Sequence, residues 1–209
     1  MGLQTTNQPP TTGDYGPAGN YYDKFAAGNP LVRWMMNGFK TSLLELLAPL
    51  AYERVLEAGC GEGYILELLN RPGCVGMDID LPVTQEARAR FPAAYFAVAD
   101  GTRLPVPDRS YDLVLGIEVL EHVPDPAAFV REARRVTRRY CLFSVPREPI
   151  WRVLNLARGR YWIAWGNTPG HIQHWSSAGF VRLLSEHLTV RAVRRPLPWT
   201  MVLCEVDGD

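Results

Sequence analysis

Three glycines and two glutamates lie within seven residues of the chain, in the stretch VLEAGCGEGYIL at positions 55–66. Glycine-rich turns between a strand and a helix commonly hold phosphate, because backbone amides can approach the anion closely. Here Glu57 precedes the first glycine and Glu62 lies within the turn. A diphosphate about 4 Å from Glu57 would be repelled by roughly 4 kcal/mol at an effective dielectric near 20. The turn therefore favours a ligand with a positive centre.

The glycine spacing also argues against a dinucleotide site. That site requires the pattern G-x-G-x-x-G, whereas this chain has Gly59, Gly61 and then Tyr64 at the position of the third glycine, with Gly63 added. The glycines still allow close contact, and amides at the start of the next helix can receive a carboxylate. A ligand with an adenosine, a positive centre and an amino-acid end fits better, and a nicotinamide-dependent oxidoreductase is the weakest alternative.

Two further acids follow neighbouring predicted strands. Asp78 ends the strand GMDID fifteen residues beyond Gly63, where a carboxylate can accept both hydroxyls of a ribose, and Ile79 can cover an adenine face. Asp100 ends VADGT, where it can accept from an exocyclic amine, and Gly101 brings an amide near the ring. Any one such acid could merely cap a turn. Acids at the ends of three adjacent strands together indicate a nucleoside site.

Short apolar strands alternate with helices over the middle of the chain. An amphipathic helix begins at Pro30 and ends before Pro49. The strands that follow are predicted at residues 54–59, 74–79, 94–100, 111–119 and 140–146, and the helices at 64–71, 83–91 and 126–136. Asp125 marks the start of the last of these helices. This alternation predicts right-handed βαβ units in a doubly wound, mostly parallel α/β sheet.

The C-terminal part has a different pattern. Residues 176–187 predict a helix capped by Ser176 or Ser177. Residues 188–206 predict two strands joined by a short turn that contains proline. A turn this short permits only an antiparallel pair, so the sheet should close with an antiparallel hairpin.

Composition limits the domain count and the partners. The chain has 209 residues with 47% apolar and 21% charged content, which suits one domain. We expect a disordered tail at residues 1–19 and a single domain at 20–209. Because the formal net charge is +0, the chain has no overall positive charge that would attract it to nucleic acid or anionic membranes. No apolar run approaches the roughly 20 residues of a membrane span. We therefore expect a cytoplasmic protein with a small-molecule partner.

Two smaller features have ordinary structural interpretations. The basic run at residues 131–139 fits the solvated face of a helix, so no nucleic acid partner is expected. The four cysteines are widely spaced without a zinc pattern, which predicts buried free thiols.

Four segments together resemble a known family. VLEAGCGEGYILELL, VGMDID, VADGTRLPVPDRSYDLVLGIEVLEHVPDP and YCLFSVP are similar, in order, to motifs of class I S-adenosylmethionine-dependent methyltransferases. The resemblance is to the small-molecule branch that includes ubiquinone and menaquinone biosynthesis enzymes, and it covers residues 21 to about 146. It implies S-adenosylmethionine as cofactor and a seven-stranded sheet whose last strand is antiparallel.

The resemblance also implies roles for individual residues. The methionine part of the cofactor would be surrounded by Glu57, Gly59, Gly61 and Gly63. The ribose would be held by Asp78, and the adenine by Ile79, Asp100 and Gly101. Glu118 would lie near the sulfonium. The segment NYYDKFA resembles an N-terminal family segment, which makes Tyr22 or Tyr21 a candidate lid over the cofactor, with helix packing as the alternative.

One part of the pattern bears on metals. GIEVLEHVPDP resembles a segment of ubiquinone-type enzymes in which two glutamates and a histidine are associated with a divalent ion. The corresponding residues here are Glu118, Glu121 and His122. Because LEHV is widespread in methyltransferases that need no metal, we expect none. The chain also has TRRY where the family often has KPGG, which leaves the shape of that loop open.

The segment at residues 147–175 is too long for a simple connection. We expect it to form a cap on the substrate side, in which an aromatic set could shield an apolar acceptor: Trp151, Tyr161, Trp162 and Trp165. The alternative is a helix that seals a small core. The part PIWRVLNLAR is amphipathic, which also allows a role at a lipid interface, without stable membrane insertion.

The predicted reaction needs a base only when the acceptor atom carries a proton. Imidazole titrates near neutrality, which makes His122, His171 and His174 candidates for taking that proton. The sequence thus predicts methyl transfer to a small, apolar or aromatic acceptor, with oxygen slightly favoured. The alternative is a regulatory or scaffold protein that binds the cofactor without turnover. The oligomeric state stays undetermined.

Overall fold

Seven strands form a single sheet in the computed structural model, which describes residues 29–157, 165, 167–168 and 170–206. In chain order, β1 to β7 are Val55–Ala58, Val75–Asp78, Tyr95–Val98, Tyr111–Ile117, Thr137–Pro146, Thr189–Arg194 and Trp199–Glu205. Their order across the sheet is β3-β2-β1-β4-β5-β7-β6. The chain order reverses between β1 and β4, where open α/β sheets bind ligands.

The sheet is parallel except at one strand. β1 pairs in parallel with β2 and β4, and β4 pairs in parallel with β5. β7 runs antiparallel to both β5 and β6. The predicted doubly wound sheet with an antiparallel terminal hairpin is confirmed.

Six helices flank these strands in the described part of the chain. In order, α1 to α6 are Pro30–Leu47, Tyr64–Leu69, Leu81–Arg90, Pro126–Val136, Ile150–Ala157 and Ser177–Ser185. Side chains cap four of them at the N-terminus by accepting a backbone N–H: Asn29, Asp80, Asp125 and Ser176. Asp125 thus begins α4 as predicted, and of the two serines considered for α6 the cap is Ser176.

The core has one layer on each face of the sheet. On one face, fully buried Leu43 of α1 packs in a cluster with Leu113, Leu142 and Leu203 of the strands. On the other face, Phe129 of α4 and Phe180 of α6 pack with a second set of strand residues, among them Val114, Phe143 and Val202. All four cysteines are buried and free, as predicted.

Several sequence predictions lie outside the described residues. These are the tail at residues 1–19, the candidate lid residues Tyr21 and Tyr22, and Tyr161 and Trp162 of the predicted cap. Among the helices that the structure describes, none is long and apolar enough to cross a membrane.

Candidate functional site

The glycine turn after β1 bends sharply toward β2. Gly59 has a φ of +76°, and a Cβ there would lie 2.3 Å from Cγ2 of Val119. Gly61 has a φ of +50°, but a Cβ there would meet nothing within 4 Å. The amides of Gly59 and Cys60 both donate to the carbonyl of Met77, at 2.7 and 3.0 Å. The turn is thus fixed against β2 and leaves open space beside Gly61.

Glu57 places a buried carboxylate beneath this turn. The residue is only 1% exposed, and no residue in the described part of the chain donates a hydrogen bond to its Oε2. Burial and the neighbouring Asp78 raise the pKa of Glu57 well above its usual value. A buried acceptor without a donor is costly, which points to a donor supplied by a ligand.

Asp78 connects the end of β2 to the glycine turn. Its Oδ2 accepts from the amide of Gly61 at 2.9 Å, and its Oδ1 accepts from the amide of Asp80 at 3.1 Å. Burial raises the pKa of Asp78, and these hydrogen bonds oppose the rise. Two neighbouring acids whose charged forms are disfavoured form a site that a cation or hydrogen-bond donor would stabilise.

The end of β3 provides a third carboxylate. Asp100 Oδ1 accepts from the amide and the hydroxyl of Thr102, both at 2.8 Å, which holds the turn after the strand. A Cβ on Gly101 would lie 2.3 Å from Cε2 of Phe129, so the backbone passes directly against that ring. Ile79, at the end of β2, is partly exposed. Sequence reasoning missed Thr102, although its contact with Asp100 is local in the chain, and it missed Phe129 because only the fold brings α4 against this turn.

Glu118 lies at the end of β4 in an unusual conformation. Its φ is +56°, a region that costs a non-glycine residue about 1–2 kcal/mol. Oε1 accepts from Ser144 Oγ at 3.0 Å, and Oε2 accepts from Trp199 Nε1 at 2.6 Å. Sequence reasoning missed Ser144 and Trp199, which reach Glu118 only through the pairing of β5 with β4 and β7.

Two histidines meet beside a buried glutamate. The rings of His122 and His171 are 4.9 Å apart at 84°, and Glu121 is 2% exposed. One ligand atom from each of these three residues lies within 4.8 Å of the others, so the group could hold a divalent ion. Sequence reasoning grouped Glu118 with Glu121 and His122. The structure instead brings His171 into the group.

The tautomer of His122 follows from its contact. Nδ1 lies 2.9 Å from the carbonyl oxygen of Gly170. A carbonyl can only accept, so Nδ1 carries the hydrogen, and in the neutral ring the lone pair lies on Nε2.

The two histidines of GHIQHW have different environments. His171 is 8% exposed and stacks on Trp151, with ring centroids 6.0 Å apart. His174 is exposed, and its Nε2 contacts Asn167 Oδ1 at 2.9 Å. Burial and Arg152 lower the pKa of His174, while Glu148 opposes them. The structure therefore gives His171, and not His174, a place beside His122.

The aromatic residues of the predicted cap also differ in burial. Trp151 is 6% exposed, packs against Trp199 and donates from Nε1 to Thr168 Oγ1 at 2.9 Å. Trp165 is 80% exposed. Trp165 is thus exposed where Trp151 is buried, and its role in shielding an acceptor stays a prediction.

Residues 56–144 match the family described as Methyltransferase domain. A "Probable S-adenosylmethionine-dependent methyltransferase" of Mycobacterium tuberculosis is 43% identical over 105 residues, which cover 47% of this chain and 37% of the relative. A ubiquinone biosynthesis O-methyltransferase of Paracidovorax citrulli is 32% identical over 111 residues, or 49% and 47% of the two chains. The chain thus spans less than half the length of these curated relatives.

Solved structures share the fold at low sequence identity. Magnesium protoporphyrin IX methyltransferase from Synechocystis, with bound S-adenosylhomocysteine, has a TM-score of 0.66 at 17% identity, covering 88% of this chain and 91% of that one. A SAM-dependent methyltransferase from Aquifex aeolicus also has a TM-score of 0.66, at 16% identity and coverages of 86% and 94%. Residues 56–144 thus resemble the methyltransferase domain family, and the chain shares the fold of these S-adenosylmethionine-dependent methyltransferases.

Proposed function

We propose that the protein transfers a methyl group from S-adenosylmethionine to a small, apolar or aromatic acceptor, with oxygen slightly favoured as the methylated atom. The observation that carries this proposal is the buried acid pair Glu57 and Asp78 beneath a glycine turn with open space beside Gly61. Such a hollow disfavours a diphosphate and favours a nucleoside with a positive charge.

The residues around the hollow suit each part of that cofactor. The unsatisfied Oε2 of Glu57 can accept from the ammonium of the methionine part, against the backbone of Gly59, Gly61 and Gly63. Asp78 would receive the ribose hydroxyls. Asp100, Gly101 and Ile79 would contact the adenine, and in the described part of the chain only Thr102 hydrogen-bonds the Asp100 carboxylate. Tyr22 remains the proposed lid.

The chemistry required of the protein is mainly positioning. The bound cofactor supplies an activated methyl group, which an acceptor atom must approach in line with the carbon–sulfur bond. Holding the two reactants in that geometry can contribute about 7–11 kcal/mol of the barrier. Glu118 is suited to fix the end of β4 near the sulfur, because both of its oxygens are already held by Ser144 and Trp199.

His122 is the proposed base when the acceptor atom is a hydroxyl. The Gly170 carbonyl holds the hydrogen on Nδ1, so in the neutral ring Nε2 carries the lone pair that would take the proton of the acceptor. His171 packs edge-on against the ring of His122 and is proposed to position it. His174 is set apart by its contact with Asn167, which makes it the weakest of the three candidates.

The partner is proposed to be a small molecule rather than nucleic acid. Four arginines of the run 131–139 form ion pairs within the chain. Arg135 pairs with both Glu132 and Asp108. Each of the other three pairs with one acidic residue: Arg131, Arg138 and Arg139. These pairs leave little free positive charge for a phosphate backbone. The cap at residues 147–175 and a cytoplasmic location remain predictions.

Calorimetry with S-adenosylhomocysteine and then with NAD tests the cofactor assignment. We expect binding of the first and none of the second, and tight NAD binding would contradict the proposal. Product formation on a panel of phenols then separates an enzyme from the alternative, a regulatory or scaffold protein that binds the cofactor without turnover.

A further inference from the structure

Glu148 lies just beyond the carboxyl end of β5, the edge of the sheet that also carries the glycine turn. Its amide donates to the carbonyl of Trp175 at 2.9 Å, which ties this position to the segment before α6. Helix α5 begins two residues later and brings Arg152 back toward Glu148. The pair therefore lies at the substrate side of the fold.

Three polar atoms of this pair are buried without a hydrogen-bond partner among the described residues. Both carboxylate oxygens of Glu148 are buried, and no residue in the described ranges donates a hydrogen bond to either one. The Nε of Arg152 is also buried without a hydrogen-bond partner, and it lies 3.6 Å from Glu148 Oε1. A charge-assisted hydrogen bond is usually about 2.7–2.9 Å long. The two groups attract each other, but these three atoms have no hydrogen-bond partner in the part of the chain that the structure describes.

The pair lies on elements that adjoin the histidine group. The carbonyl of Glu121 accepts from the amides of Ile172 and Gln173, at 2.9 and 3.0 Å, so the segment after His171 runs along the group. Trp175, which binds the amide of Glu148, follows His171 by four residues. Trp151, the neighbour of Arg152 in α5, also stacks on His171 with ring centroids 6.0 Å apart, so α5 packs directly against the histidine group.

We propose that Glu148 and Arg152 bind the end of the methyl acceptor remote from the methylated atom, and that this end is neutral with both a hydrogen-bond donor and an acceptor. This inference rests on the proposed methyl transfer. A primary amide or a hydroxyl has this chemistry: it donates to Glu148 and accepts from the Nε–H of Arg152.

The charges of the pair favour a neutral end. One carboxylate and one guanidinium sum to zero, so a bare anion would be repelled by Glu148 and a bare cation by Arg152. An apolar end would leave both buried groups unsatisfied.

The test measures binding of four matched phenols in the presence of S-adenosylhomocysteine. The probes are para-hydroxybenzamide, para-hydroxybenzoate, para-hydroxybenzylamine and para-methylphenol, which differ only in the remote group. We expect the amide to bind about tenfold more tightly than each of the other three. Equal affinity for all four probes, or no binding of any, overturns the proposal.

Two variants separate charge recognition from general damage. Glu148→Gln leaves a net positive pair, so para-hydroxybenzoate should become the preferred probe. Arg152→Met leaves a net negative pair, so para-hydroxybenzylamine should become preferred. Glu86→Gln, on the exposed side of α3, is the matched control and should keep the order of the wild-type protein. An amide preference that survives both substitutions contradicts the proposal.

The cofactor measurement distinguishes the two proposals. Should S-adenosylhomocysteine bind normally while the probes show no preference, only the acceptor subsite is wrong. Should S-adenosylhomocysteine fail to bind the folded wild-type protein, the proposed function itself fails, and the subsite falls with it.

Discussion

The imidazole Nδ1 of His122 lies 2.9 Å from the carbonyl oxygen of Gly170, a residue 48 positions further along the chain. This contact fixes which nitrogen carries the hydrogen and turns a residue of the short 3-10 turn Leu120–His122 into a candidate base. The sequence neighbour Glu121 holds the same segment through its carbonyl.

Replacing His122 with asparagine should therefore separate catalysis from binding. The amide of His122→Asn can still donate a hydrogen bond to Gly170, but the basic Nε2 is lost. Turnover of a hydroxyl acceptor should fall by about 10²–10⁴-fold, with unchanged affinity for S-adenosylhomocysteine. Steady-state kinetics over a pH range, with calorimetry, checks both expectations. His187→Asn, beyond α6, is the matched control, and an equal loss in that variant would count against His122 as the base.

The acid pair should make the stability of the free protein fall as the pH rises. Because burial and Asp78 raise the pKa of Glu57, the folded state binds more protons than the unfolded state above the ordinary carboxyl range. Stability is then fully present below the unfolded pKa, near 4.3, and is lost as the pH rises toward the folded pKa. Glu57→Gln should flatten this slope and raise the melting temperature near neutral pH. Thermal melts across the pH range measure both effects.

Asp112 provides the control of opposite sign. Burial alone would raise the pKa of Asp112, but hydrogen bonds from the amides of Arg54 and Glu53 and the charge of Arg138 lower it overall. Its contribution to stability is present above the unfolded pKa and is lost on acidification. Asp112→Asn should thus reduce stability at neutral pH. If both variants change the pH profile in the same direction, the assignment of Glu57 is wrong.

Asp78→Ala should weaken cofactor binding through lost hydrogen bonds to the ribose. The expected loss is about 1–3 kcal/mol, or roughly 5- to 150-fold in the Kd for S-adenosylhomocysteine measured by calorimetry. Asp112→Ala removes a carboxylate from the opposite end of the sheet and should leave this Kd unchanged while lowering stability. An unaltered Kd in Asp78→Ala would contradict the placement of the ribose.

Gly101→Ala tests the close approach of the β3 turn to α4. The added Cβ would lie 2.3 Å from Cε2 of Phe129, a ring that is 1% exposed, so the ring or the turn would have to shift. Overpacking of this kind costs about 1–3 kcal/mol, and each kcal/mol lowers the Tm by roughly 2–4 °C for a chain of this size. Gly38→Ala, on the exposed side of α1, should be neutral or stabilising, since its Cβ would meet only Pro196 at 4.0 Å. Equal melting temperatures for the two variants would exclude the clash.

The sequence by itself determined the sheet and the acids at its edge. Apolar strands that alternate with helices bury their surface in only one common way, so the parallel order and the terminal hairpin follow from periodicity and turn length. Glu57, Asp78 and Asp100 follow from the same reasoning, because the ends of parallel strands meet at one edge. These contacts are local in the chain or are imposed by the strand order.

Only the tertiary structure decided which distant side chains meet at that edge. Ser144 and Trp199 hold Glu118 because β7 inserts beside β5, and no spacing in the sequence specifies that contact. His171 joins His122 while His174 turns to Asn167, although both histidines lie in the same short segment. Their environments depend on how the chain packs after β5, where irregular backbone has no periodicity from which side-chain direction could be predicted.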